Sequence, residues 1–219
     1  MSDLSLWLDT STQDTSLALL QNSEILSLNV QESNALDYLF ETLQVLLDET
    51  QNRFSDLRSI YYCSGPGSSL GLRILSMALR TWKVTHPDIQ LMAGYTLPVY
   101  AAMEALRTNA PDSFTLLAQH RKDTWYSAVY QIGTTSEMNQ MSDSEVQSLD
   151  GNIFHIRQRK FATQPPESSQ LLYPNLDALP QILGTAQLFQ ATDEPTVFPE
   201  TTPTFKKWTP QRHRSPALK

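Results

Sequence analysis

Apolar positions alternate with polar ones at the beginning of the chain and later change to a helical spacing. The run at 4–8 reads Leu-Ser-Leu-Trp-Leu, and a period of two residues is typical of a β-strand. A polar turn at 9–14 follows, and residues 16–20 and 25–30 resume the strand pattern. The pattern therefore predicts three antiparallel strands at the start of the chain.

The next apolar residues have the spacing of one face of a helix: Leu36, Leu39, Phe40, Leu43, Leu46 and Leu47. After them we predict a strand at 57–63, a helix that reaches about residue 83, a short strand at 89–92 and a helix at 95–107. Antiparallel strands followed by strands separated by crossover helices predict one mixed sheet with helices packed on it.

The second half of the chain has a weaker pattern. Residues 114–118 and 124–131 predict a hairpin, 152–159 a further strand, and the polar stretch 133–151 a loop or a weakly ordered segment. We therefore predict three parts, an α/β lobe at 1–110, a smaller and looser lobe at 111–200, and a basic tail containing proline at 201–219.

Composition narrows the class of protein. Of the 219 residues 40% are hydrophobic and 18% charged, which is ordinary for a globular protein in water. No apolar run approaches the length of about 18 residues needed for a membrane span, and the first residues lack the basic region of a signal peptide. The single cysteine, Cys63, excludes an internal disulfide and suits the reducing cytoplasm, where we expect the protein to reside.

The charge of the chain is unevenly distributed. From Lys206 onward there are five Lys and Arg residues and no acid, so the remaining chain holds 11 Lys and Arg against 23 Asp and Glu. The tail is either a solvated end or an arm that docks on nucleic acid or a partner. The acidic body argues against RNA binding by this chain alone, because neutralisation of phosphates supplies most of such affinity.

A glycine-rich turn is the most specific local feature. Gly65-Pro66-Gly67 follows the strand at 57–63 and precedes a helical pattern, and amide groups at a helix N-terminus favour an anion. The turn lacks the Lys and the Ser or Thr that end a Walker A loop. Alternatively, Gly65 and Gly67 allow close packing of the helix on the sheet.

A second phosphate-loop candidate lies at Asp9, Thr10 and Ser11, at the end of the first strand. An acid there can orient a metal-bound water, and hydroxyl and amide groups can hold a phosphate. The structural alternative is an Asx-type turn that closes a hairpin.

Neither a metal centre nor a catalytic constellation is predicted. The histidines have no ligand pair at helical spacing and are far apart in the sequence: His86, His120, His155 and His213. There is no Gly-x-Ser-x-Gly motif that would mark a nucleophile elbow. We therefore predict no metal ligand and no catalytic residue in this chain.

The helix after the glycine-rich turn is apolar on all sides between Leu70 and Trp82. Such a helix is buried on both sides, and in a small domain the sheet covers only one of them. Either the helix at 36–47 or a partner subunit covers the other.

Two motifs together resemble the TsaB (YeaZ) family. Leu-Trp-Leu-Asp-Thr-Ser-Thr at 6–12 resembles the family's opening strand and turn, and Gly-Pro-Gly-Ser-Ser-Leu-Gly-Leu-Arg at 65–73 is similar to its signature. This chain has Ser69-Leu70 where the family usually has Phe-Thr. The resemblance covers the first 108 residues well and the remainder poorly.

The resemblance implies a two-lobe actin-like fold of the ribonuclease H-like kind (ASKHA). It also implies a non-catalytic scaffold subunit in the synthesis of N6-threonylcarbamoyladenosine at position 37 of tRNA. Such a subunit pairs with a metal-binding TsaD-like catalytic subunit, a TsaE-like ATPase joins them, and tRNA is reached through the complex. No cofactor is expected in this chain alone, with ATP or ADP at the level of the complex, so Asp9, Thr10, Ser11, Gly65 and Gly67 would be vestigial phosphate loops.

The resemblance places the pairing surface on the helices at 34–54 and 70–82. The predicted interface residues are Leu36, Leu39, Leu43, Leu72, Leu75, Met77 and Leu79. A homodimer through the same helices is the alternative when the protein is alone. The alternative function is an actin-like ATPase or phosphotransferase that binds nucleotide itself.

Three further segments depart from the family pattern. Residues 30–34 keep Glu32 but lack the family's histidine, and only Arg121 matches the second-lobe Asp-Ala-Arg motif. The closing Tyr and Arg are replaced around Phe198. These departures indicate a divergent member whose remaining role is that of a scaffold, with a partner that has co-adapted.

Overall fold

A computed structural model describes residues 3–32, 35–158, 163–196 and 198, and in the first helix it describes side chains from residue 38 onward. Within these residues the chain forms two mixed β-sheets flanked by helices. The predicted two-lobe α/β architecture is confirmed. The basic tail from Lys206 and the predicted part 201–219 lie outside the described residues.

The first lobe has the element order that the periodicity predicts. Its elements are β1 Leu4–Asp9, β2 Thr15–Gln21, β3 Glu24–Gln31, α1 Ala35–Glu49, β4 Leu57–Cys63, α2 Ser69–Thr85, β5 Gln90–Gly94 and α3 Thr96–Ala105. The β1 strand is central, antiparallel to β2 and parallel to β4, and β5 continues parallel to β4. This arrangement brings the turns after β1 and β4 to the same edge of the sheet.

Alternation along β1 divides the core between the two faces of the first sheet. Leu4, Leu6 and Leu8 are buried beneath α1 and α2, while Trp7 points to the opposite face. The Trp7 indole donates to the Ser16 hydroxyl at 3.1 Å, so its polar atom stays paired inside the core. Each buried leucine contributes about 1.5–3 kcal/mol relative to an exposed one.

The second lobe is a six-stranded sheet. Its elements are β6 Ser113–Arg121, β7 Thr124–Gln131, β8 Thr134–Thr135, β9 Asn139–Ser142, α4 Asp143–Gln147, β10 Ile153–Ile156, β11 Gln170–Leu172 and α5 Leu179–Ile182. The strand order is β11-β10-β6-β7-β8, with β9 also paired to β7. The predicted hairpin corresponds to β6 and β7.

The prediction of a loop or weakly ordered stretch at 133–151 was wrong. These residues form β8, β9 and α4, and β9 pairs with β7 over four residues. A capping box between Ser142 and Glu145 begins α4, and Val146 is buried against Trp125. The segment contributes few apolar side chains, so its contacts with β7 produce no periodic signal.

The chain returns to the first sheet after crossing the second lobe. Residues Gln190–Thr192 form β12, which pairs antiparallel with β5 at the sheet edge. The predicted boundaries after 110 and 200 stay predictions. The lobes also meet at Arg157, whose guanidinium forms ion pairs with Asp14 at 2.9 Å and with Glu32.

Candidate partner-binding face

The two predicted phosphate turns lie in direct contact. The Ser68 amide donates to the Ser11 carbonyl at 2.6 Å. A Cβ on Gly67 would overlap that carbonyl oxygen and lie 2.9 Å from the Ser11 Cβ, and a Cβ on Gly71 would overlap the Thr10 carbonyl oxygen. The glycines are therefore needed for the close approach of the turn and of α2 to the end of β1.

Asp9 is buried, and both oxygens of its carboxylate accept hydrogen bonds. One carboxylate oxygen accepts from the Ser11 amide at 2.7 Å and the other accepts from the Tyr100 hydroxyl at 2.5 Å. Burial raises the pKa of the Asp9 carboxyl above its ordinary value of 3.8, although these hydrogen bonds act in the opposite direction. Burial, with the neighbouring Asp9, raises the pKa of the Cys63 thiol well above its ordinary value, so this cysteine is an inert core residue.

Asp9→Asn is expected to stabilise the protein at neutral pH relative to the wild type. The raised pKa means that the folded state binds the Asp9 proton more tightly than the unfolded state. Its contribution to stability is therefore fully present below the ordinary value of 3.8 and is lost as pH rises through the folded pKa. Urea unfolding of both proteins from about pH 3 to about pH 8 should show the advantage of the variant growing with pH. A difference independent of pH would contradict this description of Asp9.

The turns do not fit a bound phosphate. The buried hydroxyls of Thr10 and Ser11 make no hydrogen bond within the described residues, so both hydroxyls could still bind a polar group. A phosphate would have to enter between the turns, and the Ser11 carbonyl, itself an acceptor, occupies that approach. A carbonyl oxygen against α2 takes the position where an anion would meet the helix amides.

A cleft between α3 and the second lobe has no Lys or Arg among its described lining residues. It has a volume of about 1230 Å³ and is lined by α3, the β7–β8 region, α5 and Phe198. Glu137 is the single charged side chain among its described lining residues. A negative charge without a Lys or Arg does not suit the phosphates of a nucleotide.

Helix α2 begins at the closed turns and has two different sides. The Ser68 side chain caps the helix by accepting from the Gly71 amide at 3.3 Å. One side of the helix is buried on the sheet. The other exposes three apolar side chains at a spacing of seven residues, which places them in one row: Leu70 at 54%, Met77 at 70% and Val84 at 82%.

The residue assignment of the predicted interface needs correction. Of the seven residues, five are buried beneath the helices: Leu39, Leu43, Leu72, Leu75 and Leu79. Four of these five, all except Leu72, belong to the core between the helices and the first sheet, so they hold α1 and α2 in place and present no surface. Met77 is exposed, and the side chain of Leu36 lies outside those described.

Helix α1 adds an apolar edge beside α2. Phe40 is about half exposed, and its ring meets the Trp82 ring edge-on with centroids 6.0 Å apart. Together with the exposed row on α2 it forms an apolar surface, which we call the docking face: Phe40, Leu70, Met77 and Val84. Side chains of this kind, left exposed on neighbouring helices, are typical of a protein interface.

Sequence analysis missed the segment that runs beside α2. Residues 193–196, which follow β12, and Phe198 are here called the strap. The Asp193 carboxylate pairs with Lys83 at 3.3 Å, the Pro195 carbonyl accepts from the Ser76 hydroxyl at 2.6 Å, and the Phe198 amide donates to the Ser64 carbonyl at 2.8 Å. The Phe198 ring contacts Tyr95 of the first lobe and Tyr126 of the second. The strap thus contacts one flank of α2 at Ser76 and at Lys83.

Ser76→Ala is expected to destabilise the fold by about 1–2 kcal/mol, because the Pro195 carbonyl loses its buried donor. Thr81→Ala removes an exposed hydroxyl from the same helix and should change the free energy of unfolding by less than about 0.5 kcal/mol. Urea unfolding measures both. Equal effects of the two substitutions would show that the strap does not restrain α2.

Comparison with known proteins gives structural matches. No family model matches the chain, and no curated protein matches its sequence. YeaZ from Pseudomonas aeruginosa is 21% identical, with a TM-score of 0.68 over 89% of this chain and 98% of that one. A protein from the same organism, described as similar to peptidase YeaZ, is 22% identical, with a TM-score of 0.65 over 84% and 92% of the two chains.

The class of the protein follows from its topology and these likenesses. The first sheet, in the order β12-β5-β4-β1-β2-β3 with crossover helices, and a second mixed sheet define a two-lobe α/β protein. Within that class the chain has the fold of YeaZ. The resemblance to the TsaB (YeaZ) family is thereby confirmed at the level of the fold.

No helix among the described residues is long and apolar enough to cross a membrane. No three of their His, Cys, Asp and Glu side chains converge in a way that could hold a metal ion.

Proposed function

We propose that this chain is a TsaB-like scaffold subunit that pairs through its docking face with a TsaD-like catalytic subunit. In this role it serves the synthesis of N6-threonylcarbamoyladenosine at position 37 of tRNA, together with a TsaE-like ATPase. The observation that carries the proposal is the exposed apolar row of α2, built on a turn that is closed to phosphate. The fold shared with YeaZ supports it.

The closed turns favour a scaffold over a nucleotide-binding enzyme. Gly67 and Gly71 bring α2 against the end of β1, and the Ser11 carbonyl occupies the approach to the helix N-terminus. The same packing sets the direction in which α2 leaves the sheet. The glycine-rich signature therefore acts in assembly, by placing the helix that meets the partner, and the chemistry belongs to the partner.

Mixing the purified protein with the TsaD-like protein of the same cell tests the proposal. We expect a 1:1 complex by size-exclusion chromatography with light scattering, and burial of about 800 Å² per partner would be ordinary for it. The complex, supplied with the TsaE-like protein, should modify tRNA, whereas this chain alone should neither hydrolyse ATP nor modify tRNA. Tight binding of Mg-ATP by the isolated chain would favour the alternative, an ATPase or phosphotransferase. Failure to form the complex would overturn the scaffold role.

A further inference from the structure

The two helices around the docking face carry opposite charges. Helix α1 contains four acidic residues and no Lys or Arg, and α2 contains two Arg, one Lys and no acid. The two neighbouring helices thus differ in the sign of their charge. The helix pair is therefore acidic on the side of α1 and basic on the side of α2.

Helical spacing arranges the exposed charges in two rows. Glu41 and Asp48 are seven residues apart on α1, and Arg73 and Arg80 are seven residues apart on α2. All four side chains are exposed. Seven residues are nearly two full turns, so each pair lies on one side of its helix. Within the described residues none of the four forms an ion pair, although Asp48 accepts from Gln44 at 2.8 Å.

The position of the acidic row follows from the contacts of α1. Phe40 touches Trp82 and so marks the flank that faces α2. Glu49 accepts from Ser27 of β3 and marks the opposite flank. At 100° per residue, Glu41 and Asp48 lie between these flanks, at the outermost part of the helix. The acidic row is thus farther from α2 than Phe40 is.

The basic row lies on the other side of the apolar centre. Ser76 contacts the strap and marks the outer flank of α2, while Met77 is at its exposed crest. At 100° per residue, Arg73 and Arg80 fall between Ser76 and Met77. The order across the surface is therefore acidic row, apolar docking face, basic row, strap.

From this order we infer that the docking face is directional: the partner presents an apolar patch with basic side chains opposite α1 and acidic side chains opposite the arginines of α2. The inference rests on the proposed function and adds to it the chemistry and orientation of the partner. In the intended orientation both rows meet opposite charges. A partner turned by half a revolution would place like charges together, which is costly and suppresses wrong assembly.

Charge reversal of each row tests the inference against the TsaD-like protein of the same cell. Glu41→Lys with Asp48→Lys reverses the acidic row, Arg73→Glu with Arg80→Glu reverses the basic row, and the quadruple variant reverses both without changing net charge. At about 50 mM salt each double variant should bind about tenfold more weakly, mostly through slower association, and the quadruple variant more weakly still. The differences should shrink at about 0.5 M salt, because ions screen charges at an interface rim.

A control variant distinguishes the effect of where the charges lie from the effect of the net charge of the protein. Asp112→Lys with Asp150→Lys changes two exposed acids of the second lobe and gives the same net charge as reversal of the acidic row. This variant should bind within about twofold of the wild type at physiological salt.

Three outcomes would overturn the inference, and they are distinguishable. If the wild type binds the partner and the quadruple variant binds equally well, the charge rows do not orient the partner, while the proposed function stands. If the wild type does not bind at all, the proposed function fails together with the inference. If the wild type and the quadruple variant instead self-associate equally well, the face belongs to a second copy of this chain.

Discussion

Gly67→Ala is expected to destabilise the protein by about 3 kcal/mol, at the upper end of what overpacking costs. The added Cβ would overlap the Ser11 carbonyl oxygen. That oxygen belongs to the backbone, and it also accepts from the Ser68 amide, so it has little freedom to move. The two turns would have to separate, and the start of α2 would move with them.

Gly184→Ala is the matched control, because a Cβ at this position has no neighbour within 4 Å among the described residues. It should change the free energy of unfolding by less than about 0.5 kcal/mol. Urea unfolding followed by circular dichroism measures both variants. If Gly67→Ala were as stable as Gly184→Ala, the contact between the two turns would not be as close as described, and the argument against a phosphate between them would fail.

Met77→Asp is expected to weaken the complex with the TsaD-like subunit about 100-fold while leaving the fold intact. Met77 is 70% exposed at the centre of the row on α2, so the carboxylate stays in water in the free protein. In the complex the same carboxylate would be buried against an apolar partner, which costs several kcal/mol for an unpaired charge. Truncation or charge at a central contact of this kind commonly costs 2 kcal/mol or more.

Ile132→Asp is its control, since Ile132 is an apolar residue of the second lobe with an equal exposure of 71%. It should bind the partner like the wild type. Leu75→Ala, two residues before Met77 and on the buried side of α2, should behave in the opposite way. It should lower the free energy of unfolding by about 2–5 kcal/mol with little effect on binding by the folded fraction. Calorimetry of binding and urea unfolding distinguish variants that weaken binding from variants that weaken the fold. Equal binding by Met77→Asp and Ile132→Asp would show that α2 is not part of the interface.

The contrast between Leu75 and Met77 shows what hydrophobic periodicity can predict. Periodicity identified α1 and α2 and the strands beneath them, because burial of one helix face requires apolar residues at a fixed spacing. Periodicity does not distinguish an apolar residue of the core from an exposed apolar residue that binds a partner. Leu75 and Leu79 were therefore predicted as interface residues although they are core, while Leu70 and Val84 were not among those predicted. Exposure in the folded chain makes that distinction.

The strap could not be predicted because its contacts join distant parts of the sequence. Ser76 and Pro195 are 119 residues apart, and the contact uses one hydroxyl and one backbone carbonyl. Neither group leaves a pattern in a linear sequence. The glycine-rich turn is the opposite case, because Gly-Pro-Gly before a helix is a local signal. Its position was predicted, but the Ser11 carbonyl that closes it became visible only in the folded structure.

Hydroxyl-radical footprinting of Met77 in the 1:1 complex with the TsaD-like protein tests the central claim most directly. Methionine sulfur is readily oxidised when accessible, and Met77 is 70% exposed in the free chain. Tyr173 of the second lobe, 52% exposed, serves as the internal reference in the same sample. We predict that complex formation reduces Met77 oxidation about tenfold, as burial in an interface core requires, and leaves Tyr173 unchanged. Oxidation of Met77 at the same rate in the free chain and in the complex would contradict the assignment of α2 as the partner-binding helix.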